Sequence, residues 1–251
     1  MVVKHSNSEA LSAKVSMCFK AAQRLNFKVA VVIPAFNEEK NIGDVLYRLK
    51  NIGYSNILVI DGLSEDGTLK VAAQNGAKII LQDGHGKGQA IRQVLNNSYL
   101  NSDALVLMDA DGSMSPEEVP RFVEALRKGA DVVKGSRFID GGGTYDMTAT
   151  RRFGNALMAF AVNILFGAKY TDLCYGFVAF NKKAIQKLAP LLESNNFEIE
   201  TEIFIKAKKL GLKISEVPSV EYMRKNGKSN LNAFSDGFKI LKTILDASIK
   251  D

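Results

Sequence analysis

Short apolar runs alternate with amphipathic stretches along the first half of the chain. The runs are four or five residues long and rich in Val, Ile and Leu, which is typical of strands buried on both faces of a parallel sheet. They lie at residues 29–33, 57–60, 77–81, 104–108 and 131–134. The intervals between them carry helix signals: acids in a first turn after Asn37, a candidate capping residue at Ser64, and Pro116 at a first helical position. This alternation predicts an α/β fold with a mainly parallel, doubly wound sheet flanked by helices.

The pattern changes after residue 137, where the Gly-rich segment Gly141–Thr144 predicts a hinge or lid. Helices are predicted over 151–167, from 182 onward and over 200–210, and strands at 176–180 and 213–217. Amphipathic helical spacing also occurs near both ends of the chain. We therefore expect an N-terminal helical extension at 1–27, a main domain at 28–230 and a C-terminal amphipathic helix at 231–251.

The composition is that of a folded protein without covalent cross-links. The 251 residues are 46% hydrophobic and 24% charged, with a net charge of +6. Cys18 and Cys174 match no metal spacing, which excludes a zinc finger or a disulfide framework and favours reduced thiols in the cytosol. The longest apolar run, Ala156–Phe166, contains Asn163 and is shorter than the roughly 20 residues of a membrane span. Trp and aromatic-interleaved basic patches are absent, so nucleic acid binding is not expected.

Two carboxylates, Asp109 and Asp111, directly follow the fourth predicted strand. Ligands of doubly wound sheets bind beyond the carboxyl ends of the strands. Acids at positions i and i+2 of such a turn can reach one cation, and oxygen ligands suit Mg²⁺ or Mn²⁺, which also bind diphosphate oxygens. The alternative is that both aspartates cap backbone amides of the turn.

Other polar residues at strand ends suit a nucleotide. Asp61 could accept hydrogen bonds from a base or ribose, although turn capping explains this residue better when it is taken alone. Lys87 lies in the loop Gly84–Gly88, which precedes a helix and suits an anion. This loop matches neither a P-loop nor a dinucleotide fingerprint, and a plain flexible loop explains it equally well.

Charged residues of the second half are candidates for phosphate and sugar contacts. Converging cations would hold a phosphate acceptor and neutralise a leaving diphosphate, whereas any one of them alone is explained by a solvated surface. Glu198, Glu200 and Glu202 either favour the start of a helix, contact a sugar hydroxyl or orient a basic partner. His5 and His85 are the only histidines, so a His-based triad is not expected. The basic candidates are Arg137, Arg151, Arg152, Arg224, Lys225 and Lys228.

Four motifs in this order resemble the inverting family 2 glycosyltransferases of GT-A fold. They are V-V-I-P-A-F-N-E-E at 31–39, V-I-D-G-L-S-E-D-G-T at 59–68, M-D-A-D-G at 108–112 and G-S-R-F at 135–138. Later motifs resemble the dolichyl (polyprenyl) phosphate mannose and glucose synthases of that family. They are R-R-F-G-N at 151–155, D-L-C-Y-G-F at 172–177, F-E-I-E-T-E at 197–202, E-V-P at 216–218 and R-K-N-G-K-S at 224–229.

The resemblance implies transfer of a hexose, with inversion, from a UDP- or GDP-sugar to dolichyl or polyprenyl phosphate, a reaction of protein glycosylation. Asp109 and Asp111 would bind Mg²⁺ or Mn²⁺ and the donor diphosphate, and Asp172 and Arg152 are further catalytic candidates. The donor would contact Pro34, Phe36, Asn37, Glu38, Asp61, Lys87, Asp109, Ala110, Asp111 and Arg137. The acceptor or diphosphate would contact Arg137, Arg151, Arg152, Arg224, Lys228 and Ser229.

Two positions differ from the family pattern. The family often has D-D-G-S after the second strand, where this chain has D-G-L-S at 61–64, and mannose synthases often have Gln where this chain has Ser113. The motifs D-A-D-G and G-K-G resemble the glucose-type branch, which favours a UDP-sugar donor.

A lipid acceptor implies contact with a bilayer. We expect the helices at 155–166 and 232–250 to form an apolar, Lys-rimmed face for peripheral binding to the cytoplasmic side of a membrane. The alternative is that both helices pack on the core or on a second subunit of a homo-oligomer. Two other functions stay open: a related transferase with a soluble acceptor, such as 3-phosphoglycerate, or a polysaccharide acceptor, and a nucleotide-sugar-binding protein without catalysis.

Overall fold

The computed structural model describes residues 27–96, 101–227 and 232–249. The helix predicted over 1–27 lies outside the described residues, except for Phe27, and so do Lys228 and Ser229. The strands are β1 (Val29–Ala35), β2 (Ile57–Asp61), β3 (Lys78–Leu81), β4 (Ala104–Leu107), β5 (Val132–Ser136), β6 (Gly143–Thr144), β7 (Val178–Asn181), β8 (Ile214–Pro218) and β9 (Val220–Glu221). The helices are α1 (Glu39–Asn51), α2 (Thr68–Gln74), α3 (Lys87–Asn96), α4 (Val119–Arg127), α5 (Ala149–Phe166), α6 (Lys182–Leu188), α7 (Ile199–Lys209) and α8 (Ala233–Ile249), with 3₁₀ turns at Pro116–Glu118 and Ala189–Leu191.

Seven strands form one sheet in the order β3-β2-β1-β4-β7-β5-β8. β7 is antiparallel to β4 and β5, and every other neighbouring pair of this sheet is parallel. The predicted α/β fold with a mainly parallel sheet is confirmed, although the alternation of elements did not predict the antiparallel direction of β7. The carboxyl ends of β1 to β5 lie at one edge, and the strand order changes direction between β1 and β4, where ligands of such sheets bind.

Alternate residues of the strands enter two cores, one on each face of the sheet. Val32 and Leu105 belong to the core that contains residues of α3, α5, α7 and α8, whereas Val31 and Val106 belong to the core beneath α1 and α4. All four of these side chains are fully buried. Burial of one such side chain contributes about 1.5–3 kcal/mol, so the two cores fix the strands and thereby the loops at their carboxyl ends.

A second, two-stranded sheet joins the segment after β5 to the segment after β8. β6 pairs in parallel with β9, and the backbone of Gly143 donates to the carbonyl of Ser219 at 3.1 Å. A side chain at Gly142 would place its Cβ only 2.5 Å from the carbonyl oxygen of Ser136, which explains a glycine there. The predicted hinge at 141–144 is therefore tied to the end of the main sheet by this ladder.

Helices α5 and α8 pack on one another and each carries two apolar faces. On one face Val162 and Ile244 are fully buried in the core. The other face is exposed and consists of what we call the apolar stripes: Phe153, Leu157, Phe160 and Ile164 of α5, and Phe234, Phe238, Leu241, Leu245 and Ile249 of α8. No helix in the described ranges is long and apolar enough to cross a membrane.

Candidate active site

One cleft opens at the carboxyl ends of β1 to β4, at the sheet edge selected above. Its volume is about 380 Å³, and its floor is built from the ends of strands in the middle of the sheet. Its lining includes the predicted residues Pro34, Phe36, Glu38, Lys87, Asp109, Ala110, Asp111 and Arg224. It also includes residues for which the sequence suggested no role in a site, namely Gly62, Gln82, Ala90, Asn196 and Phe197.

The carboxylates of Asp109 and Asp111 face this cleft, as the position after β4 predicts. Lys87 Nζ lies 2.6 Å from Asp109 Oδ1, and Arg224 Nη2 lies 3.1 Å from Asp111 Oδ2. Burial raises the pKa of Asp109 to about 6, with Lys87 opposing the shift and Asp111 reinforcing it. Asp111 also accepts a hydrogen bond from the backbone of Ser113 at 2.9 Å, so turn capping and cleft exposure coexist in this residue.

Lys87, at the first position of α3, connects two carboxylates. Its Nζ lies 2.8 Å from Glu200 Oε1, in addition to the contact with Asp109. Burial lowers the pKa of Lys87, but the two carboxylates outweigh it and raise that pKa above its ordinary value. Among the roles suggested for the acids at 198–202, the contact of Glu200 with Lys87 agrees with that of orienting a basic partner. Glu202 accepts hydrogen bonds from the backbones of Glu193 and Ser194.

Gly176 is a residue of this site that the sequence did not identify as such. A Cβ at this position would lie 2.6 Å from Lys87 Nζ and 2.7 Å from Glu200 Oε1. The absence of a side chain therefore leaves the space in which the Lys87–Glu200 pair lies. A glycine directly after an aromatic residue, two positions before β7, was the available signal, but the pair it accommodates includes Lys87, which is distant in sequence.

Arg224 brings the segment after β9 across the cleft. Its Nη1 lies 2.9 Å from Glu38 Oε1, and Glu38 in turn accepts a hydrogen bond from Asn41 Nδ2 at 2.7 Å. Burial raises the pKa of Glu38, while Asn41 and Arg224 oppose that shift. The predicted loop cation thus lies between an acid after β1 and an acid after β4.

Arg137 does not line the cleft, contrary to the expectation that it contacts the donor or acceptor phosphate. Its Nε and Nη2 donate to Asp172 at 2.7 and 2.9 Å, its Nη1 donates to both oxygens of Glu221 at 3.0 Å, and its Nη2 also donates to the carbonyl of Cys174. These five acceptors match the five N–H groups of a guanidinium, so no donor is left for a phosphate. Arg137 is 4% exposed, and its position is that of a structural cross-link.

Asp172 is fully buried against Arg137, which does not fit a carboxylate that assists at the anomeric carbon. Burial alone would raise its pKa, but Lys134 and Arg137 lower that pKa below the ordinary value. Asp172 therefore stays ionised and acts as the partner of Arg137. The sequence suggested a catalytic role for Asp172 from its position alone. Its cationic partners are distant in sequence, so only the fold shows that they surround it.

Two further donor-site candidates hold a turn instead of lining the cleft. Asp61 is fully buried and accepts from the backbone and the hydroxyl of Ser64, at 2.8 and 2.6 Å. Asn37 Oδ1 accepts from the backbone of Glu65 at 2.9 Å, and its own backbone donates to the Ser64 hydroxyl. The capping explanation of Asp61 thus agrees with the structure.

Arg151 and Arg152 lie at the start of α5, beyond the carboxyl end of β5 and outside the cleft lining. Arg151 lies 3.6 Å from the carboxylate of Asp146. Arg152 is exposed, has its guanidinium 5.3 Å from the centre of the Phe138 ring, and forms no ion pair within the described ranges. Arg152 is therefore the one of the two with a charge free for a ligand.

The fold and the cleft define an α/β protein with an acid pair suited to a metal-bound diphosphate. Residues 30–189 match the family model "Glycosyl transferase family 2". That match covers more than half of the chain, so the protein belongs to glycosyl transferase family 2.

Two relatives of this chain have similar lengths and are named for dolichyl phosphate. One is the UDP-N-acetylglucosamine–dolichyl-phosphate N-acetylglucosaminyltransferase of Methanococcus voltae, which is 30% identical over 85% of this chain and 94% of its own. The other is the dolichyl-phosphate hexose transferase of Haloferax volcanii, 29% identical over 89% of this chain and 95% of its own.

A solved structure shares the fold. It is glucosyl-3-phosphoglycerate synthase from Mycobacterium tuberculosis in complex with Mn²⁺, UDP and glucosyl-3-phosphoglycerate, with a TM-score of 0.71 over 90% of this chain and 82% of that one. The sequence identity is 22%, so this likeness supports the predicted GT-A fold and no more.

Proposed function

We propose that this protein transfers a hexose from a nucleotide sugar, with UDP-glucose-type donors favoured, to dolichyl or polyprenyl phosphate with inversion at the anomeric carbon. The observation that carries this proposal is the pair Asp109 and Asp111, which face one cleft with Lys87 and Arg224 at ion-pair distance. Membership in family 2 and the names of the two dolichyl-phosphate relatives support the choice of reaction.

The donor set of the cleft fits Mg²⁺ or Mn²⁺. Asp109 and Asp111 offer hard carboxylate oxygens from one turn, and the described ranges contain no cluster of three acidic, His or Cys residues that would bind a metal by itself. Diphosphate oxygens and water would complete the coordination. A cation held there would neutralise the negative charge that develops on the leaving nucleoside diphosphate.

The residues of the chain bind and orient the reactants without a general base. An acceptor phosphate oxygen forms the bond to the anomeric carbon while the bond from that carbon to the donor diphosphate breaks on the opposite face. The acceptor oxygen is already anionic near neutral pH, so no proton is removed. Lys87 and Arg224 would exchange contacts with Glu200 and Glu38 for diphosphate oxygens and so stabilise the leaving group.

The acceptor phosphate would approach from the side of α5. Arg152 provides an exposed cation at the start of that helix, on the same sheet edge as the acid pair. Arg151 is the second candidate, and its contact with Asp146 would have to open or be shared.

The apolar stripes of α5 and α8 suit a membrane surface where such a lipid resides. Phe153 and Phe160 on α5 and Phe234 and Phe238 on α8 are each more than 60% exposed, although both helices bury their opposite faces. Residues at such spacing form a continuous stripe along a helix, and Lys242 lies on the exposed part of α8. We propose peripheral binding to the bilayer through the stripes, in the cytoplasm.

The function is tested by incubating the protein with Mg²⁺ or Mn²⁺, polyprenyl phosphate and a panel of UDP- and GDP-hexoses, and by identifying the product by mass. We expect a polyprenyl phosphate hexose from a UDP-hexose and no product when the metal is chelated. Hexose transfer to 3-phosphoglycerate with none to the lipid would show the soluble-acceptor reaction instead. Nucleotide binding without any transfer would show the non-catalytic alternative.

Membrane binding is tested by flotation with anionic vesicles. We expect the unchanged protein to float and the double variant Phe153→Ser/Phe238→Ser to stay behind, because burial of apolar area drives interfacial binding. Tyr47→Ser is the control, since Tyr47 is an exposed aromatic residue of α1, away from the stripes. If the unchanged protein does not float, membrane binding through the stripes is overturned, and a change of a dimer into a monomer in the double variant on sedimentation would assign the stripes to a second subunit instead.

A further inference from the structure

The end of the cleft beyond β2 and β3 is formed by Gly62, Gln82 and Phe36. A Cβ on Gly62 would lie 3.2 Å from Gln82 Oε1 and 3.4 Å from Phe36 Cβ. The missing side chain therefore lets the Gln82 amide oxygen and Phe36 pack closely beside Gly62 and leaves this part of the cleft wall without a protruding side chain. A planar ring is the kind of group that lies against such a wall.

The carboxamide of Gln82 has a defined orientation. Its Nε2 donates to the carbonyl of Gly86 at 2.8 Å, and its backbone donates to the carbonyl of Asp61 at the same distance. Because one arm of the planar amide is fixed on Gly86, the other arm must present Oε1. No donor among the described residues contacts Oε1, although Gln82 is only 6% exposed. Gln82 lies on the cleft lining, so this acceptor without an internal donor is available to a ligand in the cleft.

Asp61, the acid expected to contact the base, is not available for that purpose. Both of its carboxylate oxygens accept from Ser64, and it lies outside the cleft lining. It holds the turn that carries Leu63 in a left-handed conformation with φ of 66° and places Gly62 at the cleft wall. The acceptor on this part of the cleft wall is therefore the neutral amide of Gln82 and not a carboxylate.

We propose that Gln82 determines base specificity by accepting a hydrogen bond from the ring N–H of a uracil-type base that lies against Gly62. This inference rests on the proposed function, because it assumes that the cleft holds a nucleotide. Uracil offers one N–H between two carbonyl groups, which one neutral acceptor satisfies. Guanine offers two adjacent N–H donors on its edge. Gln82 presents one acceptor, because its Nε2 is a donor that is already bound to the carbonyl of Gly86, so the second donor of guanine would lack a partner there.

The test is calorimetric titration in the presence of Mn²⁺ with UDP, N3-methyl-UDP and GDP, the second of which lacks the ring N–H. We expect the unchanged protein to bind UDP about tenfold more tightly than either of the others, the usual effect of leaving a buried hydrogen-bonding group unpaired. In Gln82→Met the affinity for UDP should fall by about tenfold, and the preference for UDP over N3-methyl-UDP should disappear.

Gln93→Met is the matched control. Gln93 supports the same loop from outside the cleft, since its Nε2 donates to the carbonyl of Leu81 at 3.0 Å and its Oε1 accepts from the backbone of Asp83 at 2.8 Å. We expect this variant to keep the preference for UDP over N3-methyl-UDP. If Gln93→Met loses that preference to the same extent as Gln82→Met, loop distortion explains the effect and the role of Gln82 is overturned.

If Gln82→Met does not fold, the comparison of UDP with N3-methyl-UDP on the unchanged protein still tests the inference. Equal affinities of the unchanged protein for UDP and N3-methyl-UDP, or a preference for GDP, would overturn the inference. The proposed function fails in a different way: no polyprenyl phosphate hexose forms, although UDP still binds and is distinguished from its methylated analogue. Absence of binding of every nucleotide tested would overturn both.

Discussion

Two clusters of ion pairs lie at the same edge of the sheet and differ in what surrounds them. In the cleft cluster, Lys87 and Arg224 contact the acid pair from the wall of an open cavity. In the buried cluster, Arg137 joins Asp172 and Glu221 beneath the surface, with its guanidinium donors all used. The same residue types are therefore accessible to a ligand in one place and enclosed by the fold in the other.

The difference lies in access and in unused hydrogen-bonding capacity. A charge that faces a cavity can exchange a protein partner for a substrate oxygen. In a buried cluster, by contrast, replacing one charged residue leaves its partners as unpaired charges inside the protein. Resemblance in sequence cannot separate the two cases, since Arg137 and Arg224 both lie in motifs of the family. The following substitutions test this division.

The largest effect is expected for Arg137→Met in the buried cluster. The change leaves Asp172 and Glu221 without their common partner, and breaking a buried ion pair costs about 3–5 kcal/mol of unfolding free energy. Urea denaturation followed by circular dichroism measures it. Lys128→Met is the control, because that exposed side chain lies 4.0 Å from Glu124 and should change stability by less than about 1 kcal/mol. An equally small effect at Arg137 would contradict the structural role.

The next effect is expected for Asp111→Asn in the cleft cluster. We expect the rate of hexose transfer to fall by on the order of 10²–10³, the usual effect of removing one group that stabilises charge in the transition state. Thermal unfolding should change little, because Asp111 faces the cleft. Asp44→Asn removes an exposed carboxylate that pairs with Lys225 and should leave the rate unchanged. Full turnover by Asp111→Asn would remove the basis of the proposed reaction.

Arg224→Met should weaken binding of a nucleoside diphosphate by about tenfold, because it removes one charge-assisted contact at an accessible site. Calorimetric titration with UDP and Mn²⁺ measures this. The neighbouring Lys225→Met is a matched control, since Lys225 contacts Asp44 at 2.8 Å and lies outside the lining of this cleft. A loss of stability as large as that of Arg137→Met, with unchanged affinity, would place Arg224 with the buried cluster.

The smallest effect concerns the pKa values of the two clusters. The folded pKa of Asp109, about 6, lies above the roughly 3.9 of an unfolded aspartate. The stability from this group is therefore present below about pH 4 and is lost as the pH rises through about 6. Asp172 has the opposite sign, because its pKa is lowered: its contribution is present above roughly pH 4 and is lost as the pH falls further.

Carbon-13 carboxyl titration by NMR, without metal or nucleotide, distinguishes the two signs. We expect a midpoint near pH 6 for a signal that is missing in Asp109→Asn, and an Asp172 signal that stays in the ionised position at pH 4. Coincident titration of both carboxyl groups near pH 4 would show that the clusters do not differ in this respect.

The sequence by itself determined the order of strands and helices and the place of the acid pair. These features depend on residues close together in the chain: the short apolar runs of the strands, the local signals of the helices, and the rule that ligands bind where strands end. Asp109 and Asp111 follow β4 directly, so the prediction that they face a cleft needed only the direction of one strand. Gln82 follows β3 in the same way, but the candidate loop taken from the sequence was Gly84–Gly88, which does not include it.

Only the tertiary structure decided which charges are free and which are used inside the protein. Arg137 meets acids 35 and 84 positions further along the chain, and Arg224 contacts Glu38 across 186 positions. Such pairs depend on how the whole chain packs, and no local period encodes them. For the same reason the sequence left open whether the apolar residues of α5 and α8 pack on the core or form an exposed face, whereas the packed structure shows that each helix does both.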